Sequence, residues 1–378
     1  MNDALGPAPR LLVTGGAGFI GSCFVRDVLA PRDGTRITVL DRLTYAGDRA
    51  NLEPVEADPE QAARFSFVHG DICDEAVVGP LVAEADAVVN FAAESHVDRS
   101  ILEPAAFLRT GVIGVHVLLE ACRREAGRAA AGERRAPDGS PRRGPRFLQV
   151  STDEVYGSVA EGRSREGDPL DPRSPYSAAK AAGELLVRSY VVTYGLDTVV
   201  TRGSNTYGPY HHPEKLIPLF VTNAIDDQPL PLYGDGLQRR DWLYVADHAG
   251  AIDHVLRHGL PGETYNIPGE AELANRDVAA ALLARLGKPW SLVRRVEDRP
   301  GHDRRYAMDG TKIAALGWRN RTSFEEGLAA TVEWFVANEA WWRPIKTGEW
   351  DRYYERQYGA RLAHGVAAAA DAGSTEVS

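Results

Sequence analysis

Tyr176 and Lys180 stand four residues apart in Tyr176-Ser177-Ala178-Ala179-Lys180, so a helix through this segment puts a phenol and an ammonium one turn apart on one face. A cation beside a phenol stabilises phenolate and lowers its pKa, which lets tyrosine act as a base near neutral pH. Upstream, Ser151-Thr152-Asp153-Glu154 sets two hydroxyls and then two consecutive carboxylates at the end of an apolar run. A hydroxyl there can polarise a substrate alcohol beside the tyrosine. Elimination of water needs a base for a carbon-bound proton and an acid for the departing hydroxyl. Two carboxylates in different environments can supply both. The same four residues also read as a plain helix start, a hydroxyl N-cap with acidic first-turn residues.

These groups need a scaffold. Short apolar, β-branched runs recur at Arg10 to Thr14, Ile37 to Leu40, Phe65 to His69, Ala87 to Phe91, Phe147 to Val150 and Thr198 to Thr201. Helix-length segments separate them, beginning with Phe19 to Leu29, which predicts parallel strands joined by crossover helices. The fold class is α/β, a doubly wound parallel sheet of Rossmann type. Between the first strand and first helix lies Gly15-Gly16-Ala17-Gly18-Phe19-Ile20-Gly21, where glycines permit a tight turn and close approach of amides to a pyrophosphate. Asp41 ends the second strand, about 20 residues on, where a carboxylate accepts from the adenosine ribose hydroxyls and repels a 2′-phosphate. Arg42 is of the type that could hold that phosphate; the carboxylate outweighs it, and NAD is the expected cofactor. Asp71-Ile72, after the third strand, is placed to cap and pack the adenine, or is an ordinary turn aspartate.

The 378 residues exceed what one hydrophobic core usually covers, so two lobes are expected. The first, 8–202, is the dinucleotide-binding domain, to which the chain returns around 238–268. A smaller C-terminal substrate-binding lobe takes 203–237 and 269–358. Residues 127–145, rich in Ala, Arg, Gly and Pro, read as an inserted loop, and 360–378 as a disordered tail. The net charge of −10 argues against a nucleic-acid partner. No apolar run approaches the length of a membrane span and no signal peptide is evident, so a cytoplasmic protein is expected. Cys23, Cys73 and Cys122 form no metal-ligand pattern; they read as buried residues of a reducing compartment, and no metal site is expected.

Gly15-x-x-Gly18-x-x-Gly21, Asn90-x-Ala92-Ala93, Ser151-Thr152 and Tyr176-x-x-x-Lys180 together resemble the extended short-chain dehydrogenase/reductase superfamily. Within it, Ser151-Thr152-Asp153-Glu154-Val155-Tyr156-Gly157, Asp41 to Gly47, Ala92 to Ser100, Arg240 to Val245 and Asp298 to Tyr306 resemble the dTDP-glucose 4,6-dehydratases, over about Arg10 to Tyr358. The resemblance implies a lyase that oxidises C4 of dTDP-glucose with tightly bound NAD. It then eliminates water across C5 and C6 and returns hydride to C6, giving a 4-keto-6-deoxy sugar. Tyr176 takes the C4 hydroxyl proton, Glu154 the C5 proton, and Asp153 protonates the departing C6 hydroxyl; Thr152 and Lys180 complete the catalytic set. Gly15, Gly18, Phe19, Ile20, Gly21, Asp41, Arg42, Thr44, Asp71, Ile72, Ala92, Ala93, Ser95, Tyr176 and Lys180 would hold NAD. Ser95, Thr152, Asn205, Lys215, Leu216, Arg240, Asn275, Arg299 and His302 would contact the nucleotide sugar, with Pro231 and Tyr233 packed on the base. Arginine forks and asparagine donors suit a diphosphate. Tyr354 and Tyr358 are further candidates there.

One departure is Thr206, where the family commonly has a second asparagine. The helices around Phe107 to Arg124 and Tyr176 to Tyr194 resemble those that pair in the family's dimers, and a homodimer through a four-helix contact is expected. Alternatives are a nucleotide-sugar epimerase or decarboxylase, which needs no paired carboxylates, or a non-catalytic NAD-dependent regulator, which would be expected to lose catalytic side chains.

Overall fold

Each apolar run expected as a strand becomes one in the computed structural model, which describes residues 3–6, 8–29, 34–136, 139–363 and 366–367. These are β1 (Arg10–Thr14), β2 (Arg36–Asp41), β3 (Phe65–His69), β4 (Ala87–Asn90), β5 (Arg146–Thr152) and β6 (Thr198–Gly203). Later in the chain come β7 (Asn205–Tyr207), β8 (Leu230–Tyr233), β9 (Arg239–Tyr244), β10 (Thr264–Ile267), β11 (Glu272–Ala274), β12 (Val293–Val296) and β13 (Val366–Ala367). Seven strands pair in the order β10-β6-β5-β4-β1-β2-β3, every neighbour parallel. β1 lies between β2 and β4, so the winding reverses there and opens a crevice beyond the strand ends. β4 and β5 are buried along their whole length, as strands covered by helices on both faces must be.

A second core gathers Tyr207, Phe220, Leu282, Phe335 and Trp342 away from this sheet. Around it are two three-stranded sheets, β11-β9-β7 and β13-β12-β8. The boundaries differ from expectation in two places. β9, expected within the returning segment 238–268, pairs with β7 and β11 in the small sheet. Conversely Ile313, Leu316 and Trp318, assigned to the substrate lobe, pack on the core of the large sheet. Apolar burial decides both: Trp242 of β9 lies in the second core, while Trp318 rests against Gly250 so closely that a Cβ there would fall 2.5 Å from its ring.

Three further expectations are corrected. Helix Val115–Ala130 absorbs the first four residues of the 127–145 insertion. Most of the rest is anchored: Arg134, 3% exposed, donates to the Ala83, Ala85 and Arg143 carbonyls, and Arg142 Nε reaches Asp86 at 3.0 Å. Residues 137 and 138 lie outside the described residues. The expected tail begins with a helical turn, Ala360–Ala363, and β13 then pairs antiparallel with β12; 364–365 and 368–378 lie outside the described residues. Finally, the helical stretch Pro104–Ala130 is long and apolar enough to cross a membrane by length and composition. Part of its apolar surface is accounted for by the fold, since Leu118, Leu119 and Cys122 sit in the core beneath β1 and β4.

The helix carrying Tyr176 and Lys180 runs Pro175–Tyr194. Ser174 and Ser177 form a reciprocal capping box at its start, Pro175 takes the first turn, and Gly195 closes it in left-handed conformation.

Candidate active site

At the crevice, Gly15 has φ +69°, and a Cβ there would lie 2.5 Å from the Ala92 amide nitrogen. Only glycine fits, which lets the turn run against the end of β4. A Cβ on Gly21 would meet the Gly15 carbonyl at 2.4 Å. Asp41 lies at the end of β2, with one carboxylate oxygen taking the Ala17 amide at 2.9 Å and the other the Leu43 amide at 2.8 Å. A carboxylate has about four acceptor sites, so these amides leave capacity for a ribose hydroxyl. Burial raises its pKa, and those amides oppose the rise. Arg42 is exposed and turns to Asp71, 3.5 Å away. Asp71 also accepts the Cys73 amide at 2.9 Å, so it is a turn residue as well as a crevice residue. The cradle and the carboxylate suit a dinucleotide with a free 2′-hydroxyl.

One continuous cleft is lined by Gly15, Gly18, Phe19, Ile20, Gly21, Asp41, Arg42, Thr44, Asp71, Ile72, Ala92, Ala93 and Ser95, and also by Thr152, Asp153, Glu154, Tyr176, Lys180, Asn205, Lys215 and Leu216. Asp153 and Glu154 occupy a single 3₁₀ turn, Asp153–Tyr156, at the end of β5. Thr152 caps that turn, accepting the Glu154 amide at 3.3 Å and donating to Asp153 at 3.1 Å. The helix-start reading is therefore met in the same residues as the chemical one. What sets them apart from an ordinary cap is burial: Asp153 is 3% exposed, and its Oδ2 is buried without a partner. Burial, reinforced by the neighbouring Glu154 charge, pushes the Asp153 carboxyl well up. Burial also raises Glu154, but Arg299, Lys215 and Arg240 pull it back.

The expected effect of Lys180 on Tyr176 is not met. The Lys180 ammonium donates to the Val150 carbonyl at 2.7 Å, and burial lowers its pKa to about 8. The Tyr176 phenol is held up by burial and by the Glu154 and Asp153 charges, against which the Thr152 hydroxyl works. A dry pocket and the neighbouring carboxylates thus set the phenol's pKa, with burial the larger influence.

The remaining predicted residues, Pro231, Tyr233, Arg240, Asn275, Arg299 and His302, lie outside the lining of that cleft. Arg240 is buried, donates to the Arg239 and Asp303 carbonyls at 2.8 and 3.0 Å, and lies over the Tyr306 ring. Arg299 donates to Asp98 at 2.8 Å, and its Nε is buried and unpartnered. His302 Nδ1 meets Asp298 at 2.5 Å; burial, with Arg299 and Arg240 nearby, holds it at about 4. Pro231 is buried in β8, paired with Arg294 of β12. Asn205 and Asn275 each have a buried side-chain oxygen without a partner. Tyr358 is buried against Tyr233 and Tyr354, while Tyr354 takes a hydrogen bond from Asn223 at 3.2 Å. Thr206, the departure from the family pattern, meets His248 Nδ1 at 2.7 Å, and His248 packs on Gly203 at the cleft wall.

Sequence reasoning passed over residues in and just behind the cleft. His211 stacks on Phe19 at 4.1 Å and 9°, closing the strand-to-helix turn from the other lobe. Glu214 is fully buried and takes Arg99 at 2.9 Å; its neighbour Lys215 donates to the Ser95 carbonyl at 2.5 Å. The run His211-His212-Pro213-Glu214-Lys215, crowded with titratable groups, was the available signal.

The family model described as GDP-mannose 4,6 dehydratase matches residues 12–331. The chain is 51% identical over 343 residues to a dTDP-glucose 4,6-dehydratase of Streptomyces niveus, covering 89% of this chain and 96% of the relative. It is 46% identical to dTDP-glucose 4,6-dehydratase 1 of Escherichia coli, covering 93% and 99%. The crystal structure of a Streptomyces venezuelae dTDP-glucose 4,6-dehydratase with NAD bound superposes with a TM-score of 0.81 at 51% identity, covering 89% and 100%. A Thermus thermophilus UDP-glucose 4-epimerase in complex with NAD is more distant, at 32% identity and a TM-score of 0.74, covering 87% and 99%.

Proposed function

The chain belongs to the family described as GDP-mannose 4,6 dehydratase, and from that premise we propose that it is an NAD-dependent dTDP-glucose 4,6-dehydratase. It converts dTDP-glucose to dTDP-4-keto-6-deoxyglucose and is a hydro-lyase. Bound NAD supplies a hydride acceptor at C4 and a hydride donor at C6. The glycine turn, Asp41, Asp71, Ile72, Ala92, Tyr176 and Lys180 would hold it.

The observation that carries the reaction type is the pair Asp153 and Glu154 beside Tyr176 in one cleft. Asp153, pushed up by burial, is suited to keep its proton and deliver it to the departing C6 hydroxyl. Glu154, moderated by three cations, is suited to remove the C5 proton. Tyr176 accepts the C4 hydroxyl proton, with Thr152 alongside. Arg299, Arg240 and Lys215 offer the cationic ground a diphosphate seeks. The decisive experiment is product analysis by NMR after incubation with dTDP-glucose, UDP-glucose, CDP-glucose and GDP-mannose side by side. A 4-keto-6-deoxy sugar from dTDP-glucose is expected. A 4-epimer with intact C6 hydroxyl would establish the alternative that the epimerase neighbour suggests.

Leu108, Ile113, Leu185 and Val192 are 51, 52, 58 and 79% exposed on the helices Pro104–Ala130 and Pro175–Tyr194. Large apolar side chains on two adjacent helices support a homodimer built on a four-helix contact. Leu185→Glu is expected to halve the mass seen by light scattering, and an unchanged mass would exclude this face. The dimer is assigned to the cytoplasm, consistent with three free cysteines.

A further inference from the structure

Asp98 lies in the helix Val97–Leu102 of the first domain and is 3% exposed. Its Oδ1 accepts Arg299 Nη1 at 2.8 Å. Its Oδ2 accepts the Tyr233 hydroxyl at 3.1 Å and Gln357 Nε2 at 3.0 Å. The three donors come from separate places: β8, the segment after β12, and the π-helical turn Glu355–Gly359. The Tyr233 hydroxyl is itself saturated, donating to Asp98 and accepting from Gln357 at 2.8 Å and Arg361 at 3.0 Å. Its polar end is thereby consumed internally, and the ring is held between Arg361, His302 and Tyr358. Arg299 is fixed at one arm, while its buried Nε remains without a partner.

A carboxylate beside a diphosphate subsite repels the ligand, so its presence needs a reason. Arg299 and Arg240 bear on Glu154 and on His302 together. Cations so close repel one another and adopt scattered rotamers unless a counter-charge fixes them. Asp98 supplies that charge.

We propose that Asp98 is a positioning residue for substrate: a first-domain carboxylate that holds Arg299 and Tyr233 in mutual register, so that diphosphate and base are bound as one unit. The inference rests on the reading that Arg299 and Tyr233 contact the nucleotide. Asp98 touches neither substrate nor cofactor and acts through its partners.

The test measures kcat and KM for dTDP-glucose, and Kd for dTDP by calorimetry, on NAD-loaded enzyme carrying Asp98→Asn, Tyr233→Phe, Arg299→Ala and Asp98→Asn with Tyr233→Phe. Asp98→Asn is expected to raise KM and the dTDP Kd on the order of tenfold with kcat within about threefold. The double variant is expected to lose clearly less than the product of the single losses, because both act on one unit. A Kd within about twofold of the unaltered enzyme, or fully multiplicative losses, overturns the proposal. Unchanged dTDP binding in both Arg299→Ala and Tyr233→Phe overturns the underlying reading instead, a distinguishable result. If Asp98→Asn does not fold, Asp98→Glu keeps the charge and shifts it by one methylene. A raised Kd at unchanged kcat then supports the proposal, and an unchanged Kd overturns it.

Discussion

Asp153 and Glu154 are consecutive in the chain, yet their carboxylates meet different neighbouring charges. Burial raises both pKa values, but the Glu154 charge raises Asp153 further, whereas Arg299, Lys215 and Arg240 pull Glu154 back. That difference suits the proposed division of labour, with Asp153 as the acid and Glu154 as the base. Glu154→Gln should retain dTDP-glucose binding and lose exchange of the C5 proton with solvent deuterium, with turnover down about 10²-fold or more. Asp153→Asn should keep C5 exchange while slowing loss of the C6 oxygen. NMR of both variants in D₂O separates the roles; unchanged exchange in Glu154→Gln would remove it as the base.

Tyr176→Phe removes the proposed acceptor of the C4 hydroxyl proton but leaves the paired carboxylates intact. The first oxidation should fail, and no absorbance at the reduced nicotinamide band should develop in a single turnover. Development of that band at the normal rate would assign the C4 proton to another group.

Gly15→Ala meets both a left-handed backbone and a 2.5 Å contact with the Ala92 amide. Each cost is of order 1–3 kcal/mol, so the turn must move. The purified variant should carry far less NAD per chain than the unaltered protein. Full occupancy, read by acid release and absorbance, would show that the turn tolerates a Cβ.

Lys180 is buried with a pKa near 8, below its ordinary 10.5, so its protonated form costs stability. That cost is fully present below pH 8 and is relieved as pH rises from 8 towards 10.5. Replacing it with Met removes the pH-dependent part. The melting temperature of Lys180→Met minus that of the unaltered protein should therefore fall between pH 7 and pH 10, and a flat difference would contradict it.

Glu214 behaves with the reverse sign. Burial pushes it up, but the charges of His96, His212, Arg99 and Lys215 prevail and hold it at about 2. Burial keeps His96 at about 4, so Arg99 and Lys215 carry this effect at neutral pH. With the folded value below the unfolded 4.5, Glu214 adds stability above pH 4.5 that is lost as pH falls towards 2. Glu214→Gln should lower the melting temperature by roughly 5 °C at pH 7, since it removes the buried carboxylate that pairs with Arg99. The deficit should shrink below pH 4.5.

What was legible in the sequence was local. The glycine turn, Asp41, the Asp153-Glu154 pair and Tyr176 with Lys180 lie within single strand-to-helix units, so spacing alone brings them to one cleft. The sign of the Tyr176 shift was not legible. It depends on carboxylates 22 and 23 positions away and on the drying of the pocket, whereas helical spacing reports only the lysine. Asp98, Arg99 and Glu214 were passed over because their partners stand 115 to 259 positions away. Trp318 was placed with the wrong lobe for a related reason. A lone aromatic has no period, and only the opposing Gly250 reveals which core receives it.

The Arg361 guanidinium reaches the Tyr233 hydroxyl from the helical turn that follows residue 359. The turn Ala360–Ala363 is thus a prop for Tyr233, the residue proposed to pack on the base. A protease nick just ahead of Arg361 would therefore be expected to loosen Tyr233 while the seven-stranded sheet stays intact. It follows that Arg361 ties its own helical turn to β8, an anchor that the alanine-rich composition around it does not announce.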